Sequence, residues 1–140
     1  RMYFDTYRPI LLKVSPDLSH QQLDEIIEYC LRSGIDGLVA GNTTRSRDGI
    51  TSISKEKIEE IGNGGMSGAP LHQKNLELVK YVHTKSEGKL PIIGVGGIMS
   101  PEQAKAMLDA GASLVEIYTG FIYEGPALVK NIIKHLETTL

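Results

Sequence analysis

Apolar residues gather in four short runs, at residues 10–14, 37–40, 91–95 and 114–118, and none alternates cleanly between apolar and polar positions. That pattern predicts parallel strands covered on both faces. The stretches between them repeat apolar residues at helical spacing. Leu23, Ile26, Ile27, Cys30 and Leu31 form one face of a helix that starts after Ser19, with Gln22 completing a capping box and Gly34 at the far end. Leu76, Val79 and Val82 mark a second helix over 73–86, followed by Gly88. Ser100, Pro101 and Gln103 open a third, which carries Ala104, Met107 and Leu108 and closes at Gly111. A fourth, over 126–136, sets Leu128, Ile132, Ile133 and Leu136 on one side. Strands and helices therefore alternate, as in an α/β fold built on a parallel sheet. One connection, residues 42–71, is about thirty residues long against the usual few, with a short helix predicted near 54–61. Long βα loops in such folds tend to carry function.

Composition narrows the function classes. The 140 residues are 41% hydrophobic and 23% charged, ordinary values for a globular chain, which argues against disorder or a low-complexity tail. Fifteen Lys and Arg against 17 Asp and Glu leave a formal charge of −2, so nothing electrostatic points to nucleic acid or an anionic membrane. The single cysteine, Cys30, lies on an apolar helix face, reads as core and suits a reducing, cytoplasmic setting. No apolar run approaches membrane-spanning length. His20, His72, His83 and His135 are scattered without ligand spacing, so no metal site is expected. The first residue is Arg1 rather than Met, the pattern of a processed or excised piece. The 15 glycines exceed ordinary usage of about 7%, and their positions carry the most information.

Ligands of parallel α/β folds bind at the carboxyl ends of the strands. Those ends read Lys13, then Gly41-Asn42-Thr43-Thr44, then Gly94-Val95-Gly96-Gly97, then Tyr118-Thr119-Gly120. Gly96-Gly97 lets backbone N–H groups approach an oxyanion with no Cβ in the way. With Tyr118-Thr119-Gly120 it matches the phosphate site common after strands seven and eight of a (β/α)₈ barrel. Tight turns or close packing would use the same glycines. The string is not a dinucleotide fingerprint, since G-x-G-x-x-G is incomplete. Lys13 ends an apolar strand, where burial would require an anionic or polar partner, and Asp17 nearby offers a plainer pairing. Asn42, Thr43 and Thr44 suit the edge of an amide-containing ring, or a simple Asx turn. Gly64–Leu71 forms a Gly-rich loop whose donors are its backbone and Ser67, and Arg45, Arg47 and Asp48 read as a solvated charged loop.

The strings KVSPDL (13–18), NTT (42–44), GGMSGAPL (64–71), PIIGVGGI (91–98) and GASLVEIYTGFIYEGP (111–126) together resemble dihydroorotate dehydrogenase, specifically its class 2, quinone-dependent branch. The resemblance runs in order from about residue 9 onward and implies the carboxyl-terminal half of a TIM (β/α)₈ barrel, residues 1–140 forming an incomplete FMN-binding domain. It implies a flavoprotein oxidoreductase of pyrimidine biosynthesis, taking a proton and a hydride from dihydroorotate to give orotate, with quinone reoxidising the FMN. Lys13 matches the lysine near the flavin ring, and Asn42 and Thr43 match the pair that holds orotate. Gly68, Gly97, Tyr118 and Thr119 match FMN-holding positions. Gly41 stands where the family usually has a threonine that contacts FMN, which leaves a backbone contact at most. The general-base serine, the other substrate asparagines and the quinone-tunnel helices belong to upstream segments outside the match, so no catalytic residue is assigned in this chain. The intact class 2 enzyme is expected at the cytoplasmic side of the inner membrane, as a peripheral protein.

Length gives the same expectation independently. A closed (β/α)₈ barrel takes about 250 residues, and four strands cannot close one. The expected product is a fragment, inactive alone, whose open edges favour self-association. Two alternatives remain open at this stage: a non-catalytic half-barrel FMN- or phosphate-binding module, and, less well matched by NTT and GGMSG, an FMN-dependent nucleotide dehydrogenase.

Overall fold

The structure, a computed structural model, describes residues 6–48, 50 and 53–139. Strands β1 (Leu11–Val14), β2 (Gly37–Ala40), β3 (Ile92–Val95) and β4 (Leu114–Glu116) lie side by side in sequence order, all parallel. The register sets Lys13 beside Val39, Val39 beside Ile93, and Gly94 beside Val115. Sequential order without reversal is how successive βα units of a barrel are laid down, whereas a doubly wound sheet reverses at a switch point. Helices α1 (His20–Ser33), α2 (Lys55–Ile61), α3 (His72–Lys85), α4 (Pro101–Asp109), α5 (Thr119–Glu124) and α6 (Ala127–Thr139) complete the described elements, with a 3-10 turn over Ala69–Leu71 leading into α3.

Local chemistry explains the boundaries. Ser19 accepts from the Gln22 N–H while Gln22 Oε1 accepts from the Ser19 N–H, the reciprocal box predicted for α1. Ser54 and Ser100 cap α2 and α4 in the same way, and Gln103 Oε1 takes the Met99 N–H as well. The core lies between the two central strands and the helices, with Leu38, Ile92, Val79, Val82, Met107 and Cys30 all fully buried. Each of the larger aliphatic side chains contributes about 1.5–3 kcal/mol by leaving water.

Three sequence expectations need correction. Only β2 and β3 are largely buried, and even there Val39 and Ile93 stay partly exposed; β1 and β4 are outer strands, with Leu12 exposed and Leu114 62% exposed. The fourth strand ends at Glu116, because Tyr118 turns to φ −126° and ψ −78° and starts α5. Helix α5 escaped the sequence reading because Phe121, Ile122 and Tyr123 are all exposed and so form no apolar stripe.

Candidate functional site

All four strands end on the same side of the sheet, and a cleft of about 450 Å³ opens there. Its walls include Lys13 from β1, Gly41, Asn42 and Thr43 after β2, Gly97 after β3, and Tyr118 and Thr119 after β4. Gly68 reaches the same cleft from the long loop; Thr44, read with Asn42 and Thr43 as a ring-edge candidate, is instead buried with its hydroxyl on Asp17 and does not line the cleft. Ser67, Gly96 and Glu116 line it too. Glu116 was missed because the apolar run was read as strand through Tyr118, which hid the true strand end.

The floor is made of backbone. Gly96 has φ +113° and Gly97 φ +73°, a left-handed pair that turns two successive N–H groups out of the strand. Neither N–H donates to a described residue. Close packing requires glycine here as well: a Cβ at Gly97 would lie 2.3 Å from the His72 nitrogen, and one at Gly96 would lie 2.0 Å from Asn75 Nδ2. Close packing thus accounts for both glycines, and the N–H groups of the same turn stay without a partner among the described residues. Across the cleft, Thr119 donates its hydroxyl to Ser67 Oγ at 3.1 Å, which folds the Gly-rich loop against the end of β4.

The Asn-Thr-Thr turn is pinned from several directions. Asn42 Oδ1 accepts the Thr43 N–H at 2.8 Å, leaving the exposed amide nitrogen for a ligand. Thr44 is 2% exposed and pairs antiparallel with Met66, its N–H donating to the Met66 carbonyl and its carbonyl accepting in return. Gly65 packs so closely on Thr43 that a Cβ would lie 2.1 Å from Thr43 Oγ1. Beneath, the Asp17 carboxylate accepts from the Thr44 hydroxyl at 2.5 Å, the Arg45 N–H at 2.7 Å and Lys74 Nζ. Partial burial pushes the Asp17 carboxyl up, but the Arg45 N–H, Lys74 and the Thr44 hydroxyl outweigh it and hold it at about 2.

Several sequence readings change at this point. Lys13 lies on the outer strand and is exposed rather than buried, and it does not pair with Asp17, whose partner is Lys74. Arg47 is not simply solvated: its guanidinium donates to the carbonyls of Thr44, Gly62 and Gly64, tying the two ends of the long loop together. Asn75, read only as a helix residue, is fully buried, donates Nδ2 to the Val95 carbonyl at 2.8 Å, and leaves Oδ1 unpartnered. No local pattern could have revealed Asp17 or Asn75, because their partners lie in other elements, or the reach of Arg47 to Gly62 and Gly64, 15 and 17 residues further along the same loop. Burial lowers the His72 pKa. Among the described residues no three His, Cys, Asp or Glu side chains gather as a metal site, and no helix is long and apolar enough to cross a membrane.

Comparison with known proteins gives a consistent picture. A family model described as dihydroorotate dehydrogenase matches residues 3–140. Proteins named dihydroorotate dehydrogenase (quinone) from Salinispora arenicola and Christiangramia forsetii are 49% and 50% identical over 123 and 125 residues, 88% and 89% of this chain. Those stretches are 36% and 35% of the relatives' lengths, so the chain spans about a third of each. A crystal structure described as ligand-free DHODH from Eimeria tenella superposes with TM-score 0.83 at 35% identity, over 92% of this chain and 35% of that one. A second, of DHODH from the same organism in complex with ferulenol, gives TM-score 0.82 at 32% identity over 90% and 32%.

Proposed function

The chain belongs to the dihydroorotate dehydrogenase family, and from that premise we propose that residues 1–140 are the carboxyl-terminal part of an FMN-binding (β/α)₈ barrel that oxidises dihydroorotate to orotate with quinone as acceptor. The observation that carries this reading is the convergence of Lys13, Gly41, Asn42, Thr43, Gly68, Gly97, Tyr118 and Thr119 on one cleft at the strand ends.

The family is flavin-dependent, and the cleft fits the phosphate end of FMN: Gly96 and Gly97 turn two unbonded N–H groups into it, and the Thr119 and Ser67 hydroxyls stand opposite. When bound, FMN supplies the hydride acceptor. Gly97, Tyr118 and Thr119 would hold its phosphate through backbone N–H and hydroxyl groups, Gly68 and Gly41 would contact it through backbone, and Lys13 would place a cation where the reduced cofactor carries negative charge. Asn42 and Thr43 would orient the amide-bearing ring of the substrate, Asn42 through the amide nitrogen that its Oδ1 contact to the Thr43 N–H leaves available. The proton acceptor is assigned to no residue of this chain; a serine from the preceding part of the barrel fills that role. Acting alone, the chain would bind but not turn over, and the complete enzyme would sit at the cytoplasmic side of the inner membrane. The outer strands β1 and β4, with Leu12, Leu114 and the neighbouring Phe121 and Ile122 exposed, favour self-association of the isolated chain.

One experiment separates this reading from that of a non-catalytic phosphate- or FMN-binding module. FMN is titrated into the full-length protein and into this chain, and dihydroorotate is then added anaerobically. Flavin bleaching in the full-length protein supports the enzyme; binding without bleaching in both leaves the module; no flavin binding in either refutes the enzyme and the FMN-binding module, and leaves a module for another phosphate ligand.

A further inference from the structure

The Asp17 carboxylate sits where β1, the Asn-Thr-Thr turn and α3 meet, and the cleft reading gives it no part. It follows β1 by three residues, yet its three partners are 27, 28 and 57 residues away. Its Oδ1 accepts from the Thr44 hydroxyl and from Lys74, and its Oδ2 accepts from the Arg45 backbone. Lys74 Nζ also lies 3.0 Å from Thr44 Oγ1, so carboxylate, ammonium and hydroxyl form a closed triangle around a nearly buried threonine. Thr44 is covalently next to Thr43, and its backbone pairs with Met66, next to Ser67. The ionic anchor thus holds the turn that carries Thr43, while Ser67, beyond Met66, is held from the other side by the Thr119 hydroxyl.

Resting on the functional reading above, we propose that Asp17 and Lys74 are positioning residues for substrate binding, which act through Thr44 to hold Asn42 and Thr43 at the cleft. Neither lines the cleft, so they affect the substrate through the turn and not by contact. The pair is half-buried, with side chains 28% and 38% exposed, a setting in which Coulomb attraction alone contributes little. Its consequence lies in geometry: three donors from two elements converge on one carboxylate, so removing its charge frees the turn rather than the fold. The phosphate floor at Gly96 and Gly97 is held separately, by packing against His72 and Asn75. The anchor should therefore govern substrate affinity and leave FMN affinity alone.

The test uses the full-length FMN-loaded protein with Asp17→Asn, Lys74→Met and Lys74→Arg. Measured quantities are the FMN Kd, the orotate Kd, KM and kcat for dihydroorotate, and amide exchange at Thr44 and Arg45. Asp17→Asn should raise the orotate Kd and the KM about tenfold, with kcat within about threefold, the pattern of lost binding shared by ground and transition states. Exchange at Arg45 should speed up, FMN affinity should hold, and Lys74→Arg should restore most of what Lys74→Met loses. An unchanged orotate Kd in Asp17→Asn, or a parallel loss of FMN and orotate binding, overturns the positioning role. A wild-type protein that binds FMN but not orotate overturns the functional reading instead, and the role with it, even where Arg45 exchange responds as expected.

Discussion

Gly41 and Asn75 fill one space between them, and this coupling can be measured. A Cβ added at Gly41 would lie 2.8 Å from Asn75 Oδ1 and 3.0 Å from Leu78 Cδ2. Asn75 cannot swing aside freely: it is fully buried, and its Nδ2 is held by the Val95 carbonyl at 2.8 Å. Gly41→Ala should therefore cost about 1–3 kcal/mol as an overpacked site. Asn75→Ala loses a hydrogen bond worth about 1 kcal/mol, but it also removes a buried unpartnered Oδ1 whose desolvation costs about 1–3 kcal/mol. The Val95 carbonyl keeps the Gly41 N–H at 3.1 Å, so it is not orphaned. The single change at 75 should then fall within about 1 kcal/mol of wild type. In the double variant the clash with Oδ1 disappears, and the coupling energy should reach about 1–2 kcal/mol in favour of the pair. Urea unfolding of all four proteins, followed by far-ultraviolet circular dichroism, gives the cycle. Additivity within about 0.5 kcal/mol would refute the shared-space argument.

Gly97→Ala meets both a left-handed φ of +73° and the His72 backbone at 2.3 Å, so a stability loss above about 2 kcal/mol is expected, together with loss of phosphate binding; thermal unfolding without and with inorganic phosphate checks both. The Asp17 carboxyl is held at about 2 in the folded chain, below its ordinary 3.8, so its contribution is full above about 4 and drains away as pH falls toward 2. After solvent screening this is about 1 kcal/mol, and the stability gap between wild type and Asp17→Asn should close across that window; a gap constant with pH would contradict it. In the full-length enzyme Lys13→Ala should slow flavin reduction, while Asn42→Ala should mainly lower kcat/KM for dihydroorotate, each by roughly 2.7–4 kcal/mol of transition-state stabilisation as at comparable preorganised polar contacts; wild-type kcat/KM in both would remove the assigned roles. Sedimentation velocity of this chain at micromolar concentration should show dimers or larger species, and a monodisperse monomer would oppose the self-association reading.

What was legible in the sequence follows from the range of the forces that set it. The capping box at Ser19 and Gln22, and the Ser100 cap before Pro101, are complete within four residues, so the helix starts could be read directly. Strand order followed from the alternation of apolar runs with amphipathic stretches, and the strand ends then located the cleft. Apolar runs alone could not separate β2 and β3, buried between neighbours, from β1 and β4, which have one neighbour each. That is why the run ending at Lys13 left open whether its side chain is buried or points outward, and it is exposed. The Asp17, Arg47 and Asn75 contacts were invisible for a different reason. The Asp17 and Asn75 contacts join elements whose proximity is decided by the sheet, Arg47 reaches carbonyls up to 17 residues away in its own loop, and a carboxylate in KVSPDL looks the same whether its partner is Lys13 or Lys74.

The same division bears on how the cleft would hold a ligand. Its floor, from Gly41 and Gly96 to Gly97, is locked by packing against Asn75, Leu78 and His72, all contributed by α3. Its outer walls are different: Lys13 stands on the outer strand β1 and Tyr118 just beyond the outer strand β4, and Tyr118 is 77% exposed. A group bound by the floor meets donors that lose little freedom on binding, whereas a ring held by Lys13 and Asn42 must order exposed side chains at about 0.5–1.5 kcal/mol each. In this chain alone, then, a phosphate would contribute more of the affinity of such a ligand than the ring attached to it. Covering β1 and β4 would remove that difference by ordering the walls before the ligand arrives. The part of the barrel that supplies the proton acceptor in the proposed enzyme would thereby also complete the ring site.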